Sequence, residues 1–230
     1  MATPKPVKVY GWAVSPFVAR ALVCLEEVGV DYELLPPLRS SCACLLAAVW
    51  AGAGSRGRRP HALRMFKKGN LISAESRAIA RHVLRKHKPE LLGGDSLERC
   101  AMVDVWLDVE AQQHHPAAVA IMLQCIIAPL VGGARDQAVV DESVGKLRAV
   151  LDVYEARLSR SSYLAGDFVS AADLSHFPLM RYFMATEYAV LVEARPHVRA
   201  WWEELAARAA ARKVAELMPL DLGLSNKNDH

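Results

Sequence analysis

The sequence has no long apolar run, although 53% of its 230 residues are hydrophobic. A membrane-spanning helix needs roughly 20 consecutive apolar residues, and no segment approaches that length. The opening residues, Met-Ala-Thr-Pro-Lys-Pro, also lack the apolar core of a secretory signal peptide. These absences favour a cytoplasmic protein with no membrane partner. The chain length suits one large or two small domains.

Cysteine is scarce and shows no spacing typical of a disulfide framework. The five cysteines are Cys24, Cys42, Cys44, Cys100 and Cys125. An odd number without framework spacing predicts reduced thiols, as in the cytoplasm. Cys42 and Cys44 have one residue between them and no second Cys/His pair close by, so no metal site is expected.

Acidic residues are absent between Pro36 and Asn70, where seven basic residues occur. A basic segment can indicate nucleic-acid binding. No RNA-binding motif and no interleaved aromatic side chains accompany it, so a solvated loop is favoured and no nucleic-acid partner is expected. The segment sustains no helical or strand period, and only weak strands are predicted, at Ala62–Phe66 and Leu71–Ser73.

The segments on either side of this basic stretch predict a small α/β unit. Val7–Tyr10 and Val30–Leu35 have the pattern of strands. Between them, Pro16–Val28 repeats apolar residues every three to four positions, which predicts a helix. A strand, a helix and a strand at this spacing indicate a βαβ unit. A further helix is predicted at Ser76–Lys86.

The rest of the chain predicts helices only. Their predicted positions are Ser96–Leu130 with a kink or break at Pro116, Asp136–Arg160, Ser170–Tyr188, Pro196–Leu205 and Ala206–Leu217. Pro89 and the Gly93-Gly94 pair mark a linker between the two units. We therefore expect an α/β domain at 1–88, a linker at 89–95, an all-helical domain at 96–218 and a flexible tail at 219–230.

Ser15 follows the first strand pattern and directly precedes Pro16, which suits the first position of a helix. No Gly-x-Ser-x-Gly motif surrounds it, and an unactivated serine is a weak nucleophile, so a serine hydrolase is disfavoured. Its hydroxyl can instead donate a hydrogen bond to an anion, such as a thiolate, at the positive end of the helix. The alternative interpretation is a plain helix-capping serine.

Glu75 and Ser76 open the next predicted helix. The Ser76 hydroxyl and the free backbone N–H groups of the first turn can receive a carboxylate, and Glu75 can pair with an ammonium group. Together the two residues suit an amino-acid group that carries both charges. The alternative is another capping pair.

Six aromatic, histidine and methionine side chains are candidates for an apolar pocket between the units, although such stripes more often form the core. They are Trp12, Phe17, Trp106, His114, His115 and Met122. Trp12, Phe17 and Met122 are the candidates that we assign to a hydrophobic substrate site. The adjacent histidines point in different directions around a helix, which disfavours a shared metal ion.

Four segments together form a recognisable pattern. They are Val-Tyr-Gly-Trp-Ala-Val-Ser-Pro-Phe-Val-Ala-Arg-Ala-Leu (9–22), Leu-Glu-Glu-Val-Gly-Val-Asp-Tyr-Glu (25–33), Glu-Ser-Arg-Ala-Ile-Ala-Arg-His-Val-Leu (75–84) and Tyr-Leu-Ala-Gly-Asp-Phe-Val-Ser-Ala-Ala-Asp-Leu-Ser (163–175). The pattern resembles the glutathione transferases, in particular the plant phi class. The resemblance implies a thioredoxin-like α/β domain, an all-α carboxy-terminal domain and a cytosolic homodimer.

The same resemblance implies an enzyme that conjugates the thiolate of glutathione to hydrophobic electrophiles, with some members reducing peroxides. Glutathione is then a co-substrate, and no cofactor or metal is expected. Ser15 matches the catalytic serine that stabilises the thiolate, and Glu75 and Ser76 match the pair that holds the γ-glutamyl end. Ser170 and Asp173 have the spacing of a capping box, and Asp173 matches the family's structural cap.

The segment 36–70 departs from the family pattern. Phi-class proteins have a His-Lys-like pair after the second strand and an Asn-Pro-Phe-Gly-x-Val-Pro run before the third, and neither is present. Pro60 lies fifteen residues before Glu75 and is the only candidate in that neighbourhood for the proline that ends this run. No glutathione contact is assigned to it. Our hypothesis is a local frameshift or misjoined exon, which reading the cDNA in the other frames would test. The alternative function is a non-catalytic ligand-binding or scaffold protein with impaired glutathione binding.

Overall fold

The computed structural model of the chain describes residues 6–36, 65–68, 71–73 and 75–220. Several sequence-based predictions lie outside these residues. They concern Cys42 and Cys44, Pro60, most of the basic segment and the tail beyond residue 220.

The amino-terminal unit is a four-stranded mixed sheet with helices packed on it. Its strands are β1 (Val7–Tyr10), β2 (Tyr32–Leu35), β3 (Met65–Lys68) and β4 (Leu71–Ser73). They lie in the order β2-β1-β3-β4; β1 runs parallel to β2 and antiparallel to β3, which is antiparallel to β4. The parallel pair requires a crossover, which helix α1 (Pro16–Glu27) provides. Helix α2 (Ser76–His87) follows β4, giving the thioredoxin-like arrangement predicted above.

Several element boundaries in this unit differ from the prediction, by up to three residues. The second strand begins at Tyr32 rather than Val30, because the turn that ends α1 continues beyond Gly29, whose φ is +66°. The third strand covers 65–68, whereas the pattern indicated 62–66. The strand at Leu71–Ser73 has the predicted bounds.

The carboxy-terminal unit consists of helices joined by turns and short loops, with one isolated β-bridge between Tyr163 and Gly166 in its described residues. Its helices are α3 (Leu97–Val109), α4 (His115–Met122), α5 (Ala128–Leu130), α6 (Gln137–Leu158), α7 (Ala171–Phe183), α8 (Val190–Glu193), α9 (Pro196–Ala207) and α10 (Ala209–Glu216). Short 3-10 turns at Pro89–Leu92 and Glu187–Ala189 supplement them. The domain bounds of 1–88 and 96–218, with their linker, stay a prediction. Among the helices that the structure describes, none is long and apolar enough to cross a membrane.

At Pro116, where a kink or break was predicted, the helix is not interrupted but contains a π turn just before the proline. The chain remains helical from Leu97 to Leu130, with π turns at Glu110–His114 and Leu123–Ile127. Each π turn ends two residues before a proline, Pro116 or Pro129. A proline offers no N–H to the carbonyl four residues earlier and its ring crowds that carbonyl, so a wider turn relieves the conflict.

Helix α7 begins with the predicted capping box. The Ser170 hydroxyl accepts a hydrogen bond from the Ala172 N–H (3.2 Å), and the Asp173 carboxylate accepts one from the Ser170 N–H (2.8 Å). Asp173 also accepts a hydrogen bond from the Trp201 indole at 3.0 Å. The helix ends at Phe183 rather than Tyr188 because the Thr186 hydroxyl and N–H both donate to the Phe183 carbonyl.

Helix α1 joins the two units. It packs against α2 on one side and against α7 and α10 on the other. One continuous hydrophobic core runs from β1 through α1 into the helical unit. Glu27, at the carboxyl end of α1, pairs with Arg208 at the start of α10. The helix that begins after Ser15 is therefore fixed against the helical unit.

Candidate functional site

Ser15 lies in a tight turn between β1 and α1. Gly11 opens this turn with a φ of +149°, and a Cβ there would lie 2.6 Å from a Val18 methyl group, so glycine lets the turn pack onto α1. The Ser15 N–H donates to the Trp12 carbonyl at 3.0 Å. Pro16 occupies the first position of the helix, as the sequence predicted.

The Ser15 hydroxyl is buried and has no hydrogen-bond partner among the residues that the structure describes. The residue is 6% exposed, has φ −74° and ψ 121°, and makes no side-chain capping bond to α1. A buried hydroxyl without a partner is costly, and native proteins seldom leave one. This geometry favours a ligand-binding role for the Ser15 hydroxyl over the role of a plain helix cap.

Glu75 and Ser76 stand at the start of α2. Glu75 is exposed, extended and makes no side-chain cap. Ser76 is buried, and its Oγ accepts a hydrogen bond from Arg20 Nη1 at 3.0 Å. A hydroxyl has one proton and two lone pairs, so Ser76 can still donate while it accepts from Arg20. The pair thus combines an exposed carboxylate with a buried hydroxyl at a helix start.

Arg20 is the centre of a buried ionic network that the sequence analysis missed. Its guanidinium donates to Ser76, to Glu110 Oε1 (2.9 Å) and to the Ser175 carbonyl (3.3 Å). Arg77 Nε donates to the other oxygen of Glu110 at 2.7 Å. Both members of the Arg20–Glu110 pair have fully buried side chains. The sequence offered one signal for this network: Arg20 in α1 and Glu110 after α3 are charged residues at positions where the helical pattern expects an apolar side chain.

The network keeps Glu110 ionised. Burial by itself opposes ionisation, but the adjacent Arg20 and Arg77 guanidinium groups hold the pKa of Glu110 far below its usual range. Burial also lowers the pKa of Arg20, against the raising effect of Glu110. Because Glu110 lies in the π turn of the helical unit, the pair ties that unit to the residues that start α1 and α2.

The candidates for the apolar pocket separate into two groups. Trp12 is 47% exposed, and the half-buried Phe17 ring lies 5.1 Å from the His115 ring, centroid to centroid. Trp106, His114 and Met122 are buried in the core. Trp12 and Phe17 lie within three residues of Ser15 in the sequence. Met122 lies far from Ser15 in the sequence, and its side chain is 5% exposed. The assignment of these side chains to a substrate site stays a prediction.

His114 belongs to a buried aromatic cluster. Its ring stacks on Tyr154 (6.0 Å between centroids, 17° between planes) and meets His176 edge to face. Neither ring nitrogen of His114 has a hydrogen-bond partner within the described part of the chain. Burial lowers the pKa of His114 well below its ordinary value, so this side chain is neutral in the folded protein.

The described cysteines are free thiols: Cys24, Cys100 and Cys125. Burial raises the pKa of the Cys24 thiol to about 12, which makes it unreactive at neutral pH. Within the described ranges, no group of three or more His, Cys, Asp or Glu side chains is placed to hold a metal ion.

Comparison with known proteins gives a consistent result. The model of the glutathione S-transferase carboxy-terminal domain family matches residues 114–209. Glutathione S-transferase 4 of Zea mays is 57% identical, with all of both chains aligned. A probable glutathione S-transferase of Oryza sativa subsp. japonica is 48% identical over 93% of this chain and 97% of its own.

Solved structures agree with these relatives. Glutathione S-transferase I from maize, in complex with an atrazine glutathione conjugate, is 43% identical. It matches 93% of this chain and 98% of its own, with a TM-score of 0.80. The chain therefore belongs to the glutathione transferases, in their plant phi class.

Proposed function

We propose that this chain transfers glutathione to hydrophobic electrophiles, with Ser15 as the group that activates the thiol. The buried, unpartnered Ser15 hydroxyl at the start of α1 is the observation that carries the proposal. The solved relative that holds an atrazine glutathione conjugate indicates the class of product.

In the proposed reaction, the Ser15 O–H donates a hydrogen bond to the glutathione sulfur. This bond and the positive end of α1 favour the thiolate over the thiol, so the thiol loses its proton to solvent near neutral pH. The thiolate then attacks an electrophilic carbon: a carbon–sulfur bond forms and the leaving group departs with its electron pair. Holding both reactants together supplies further acceleration.

Glu75 and Ser76 are proposed to hold the γ-glutamyl end of glutathione. The exposed Glu75 carboxylate suits the ammonium group, and the Ser76 hydroxyl suits the carboxylate. Arg20 supports this arrangement because it occupies a lone pair of the Ser76 oxygen and leaves the proton available.

Trp12, Phe17 and Met122 are proposed to contact the electrophile. Trp12 is well exposed beside the Ser15 turn, which is where an apolar reactant must approach the sulfur. We also propose that the protein acts in the cytoplasm as a homodimer, as the family resemblance implies, without a cofactor or metal.

Thiol conjugation of a chlorinated nitrobenzene tests the proposal. We expect Ser15→Ala to lower kcat/KM about a hundredfold, since an aligned donor to a developing or stabilised anion has an effect of this order. Ser159→Ala is the matched control, because the Ser159 hydroxyl donates only to the exposed Ala156 carbonyl. Equal rates for the wild type and Ser15→Ala would remove Ser15 from the mechanism.

Calorimetric titration with glutathione separates the enzyme from a non-catalytic protein of the same fold. We expect saturable binding by the wild-type chain. A folded wild-type chain that neither binds glutathione nor conjugates it would contradict the proposal and favour the ligand-binding or scaffold alternative.

A further inference from the structure

Tyr182 crosses from the helical unit to the turn that carries Ser15. It lies on α7, is 4% exposed, and its hydroxyl donates to the Val14 carbonyl at 2.7 Å. The two residues are 168 positions apart in the chain. Burial raises the pKa of Tyr182 to about 12, so the phenol keeps the proton that it donates across the neutral range.

The bond from Tyr182 acts on the peptide group of Ser15 itself. The Val14 carbonyl and the Ser15 N–H belong to one planar peptide unit. Tyr182 holds the carbonyl end, and the N–H end donates to the Trp12 carbonyl at 3.0 Å. A peptide plane held at both ends restricts the backbone rotation that aims the Ser15 side chain.

Helix α7 is a rigid support for this contact. Its first turn is fixed by the capping box at Ser170 and Asp173, and Asp173 is bound by the Trp201 indole. One turn later, the Ser175 carbonyl accepts a hydrogen bond from Arg20, which in turn holds Ser76. The same helix therefore holds residues beside both parts of the proposed glutathione site.

We propose that Tyr182 is a positioning residue for glutathione transfer: by holding the Val14–Ser15 peptide, it keeps the Ser15 hydroxyl aimed at the thiolate. This inference rests on the function proposed above. It assigns to the helical unit a part in activating glutathione, in addition to binding the electrophile.

Tyr182→Phe tests the inference, because it removes one hydroxyl and retains the buried ring. We expect kcat/KM to fall about three- to tenfold, the effect of one net hydrogen bond, and the midpoint of its pH profile to rise by about half a unit to one unit. The KM for the electrophile should not change. Tyr163→Phe is the matched control, because it removes the Tyr163 hydroxyl that donates to Glu204 at the surface.

A double-mutant cycle separates positioning from direct contact with substrate. If Tyr182 acts through Ser15, Tyr182→Phe should cause no further loss in a Ser15→Ala background. The inference would be overturned if the two substitutions lowered kcat/KM by factors that multiply in the double variant. It would also be overturned if Tyr182→Phe changed only the KM for the electrophile.

Backbone hydrogen exchange over residues 11–19 gives a readout that does not depend on activity. We expect faster exchange in this segment for Tyr182→Phe and no change for Tyr163→Phe. Unchanged exchange in Tyr182→Phe would overturn the inference. If the wild type neither binds nor conjugates glutathione, the proposed function fails, and the exchange rates still decide whether Tyr182 orders the Ser15 turn.

Discussion

Ser15 and Ser170 both precede a helix, yet their hydroxyls have different roles. Ser170 caps α7 and exchanges hydrogen bonds with Asp173 three positions later. Ser15 has Val18 at the equivalent position and makes no capping bond. The sequence pattern indicated the reciprocal cap at Ser170 but left a plain capping role open for Ser15, and the structure shows that Ser15 makes no such bond to α1. The sequence could not show that the Ser15 hydroxyl is buried without a partner, because burial depends on how α1 packs.

The contrast predicts opposite effects on stability. We expect Ser170→Ala to lower the free energy of unfolding by about 1–2 kcal/mol, since it removes a helix cap. Ser15→Ala should leave stability unchanged or slightly raised, because it removes an unsatisfied buried hydroxyl. Urea denaturation monitored by circular dichroism measures both. A large loss of stability in Ser15→Ala would show that its hydroxyl has a structural partner.

Among the elements, α1 is the one whose surroundings the sequence could not reveal. Its bounds and its apolar repeat were predictable, because they depend on neighbours a few residues apart. Its polar contacts were not, because Arg20 meets Glu110 across 90 positions and Ser175 across 155. Of the two π turns, the sequence indicated only the first, as a kink or break at Pro116.

The buried ion pair of α1 gives a prediction at this scale. Glu110→Gln leaves the Arg20 charge buried without its counter-charge, so we expect a loss of about 3–5 kcal/mol in the free energy of unfolding at pH 7. The exposed pair Glu142–Lys146 supplies the control, and Glu142→Gln should give no resolvable change. Urea denaturation of both variants measures the difference.

The pH dependence of this effect has a defined sign. The pKa of Glu110 is lower in the folded protein than its ordinary value of 4.5, so its contribution is fully present above that value. The gap between the wild type and Glu110→Gln should therefore narrow as the pH falls below about 4.5. A gap that stays constant to lower pH would contradict the assigned ionisation.

At the scale of the whole molecule, the described helices of the carboxy-terminal unit enclose two buried, neutral histidines in one aromatic cluster. Burial lowers the pKa of both His114 and His176. His176 is held by the Tyr154 hydroxyl (2.8 Å) and the Ala172 carbonyl (2.7 Å), whereas no described residue bonds to the ring nitrogens of His114. The sequence analysis placed His114 on a helix stripe but gave no sign of His176, because the cluster forms only when three helices meet.

Acid should therefore destabilise the folded protein before its carboxylates are protonated. In the unfolded chain these histidines bind protons below about pH 6.5, whereas burial lowers their pKa in the folded protein and disfavours protonation there. Their contribution to the free energy of unfolding is therefore fully present above that pH and declines as the pH falls. Each histidine contributes at most about 1.4 kcal/mol per pH unit. Urea denaturation between pH 5 and 8 should show a shallower slope for His114→Phe than for the wild type. Equal slopes would contradict the prediction.

The π turn at Glu110–His114 also tolerates a change in the length of the chain. Such a turn accommodates one residue more than an α-helix would, and each residue in an α-helix turns the chain by about 100°. The wider turn absorbs that extra residue, so the side chains that follow keep nearly the face they would have in a regular α-helix one residue shorter. Ile121 and Met122 therefore still point into the core, and His115 still meets Phe17. A chain with one residue fewer between 110 and 114 could close this turn as an ordinary α-helix and keep the same core downstream.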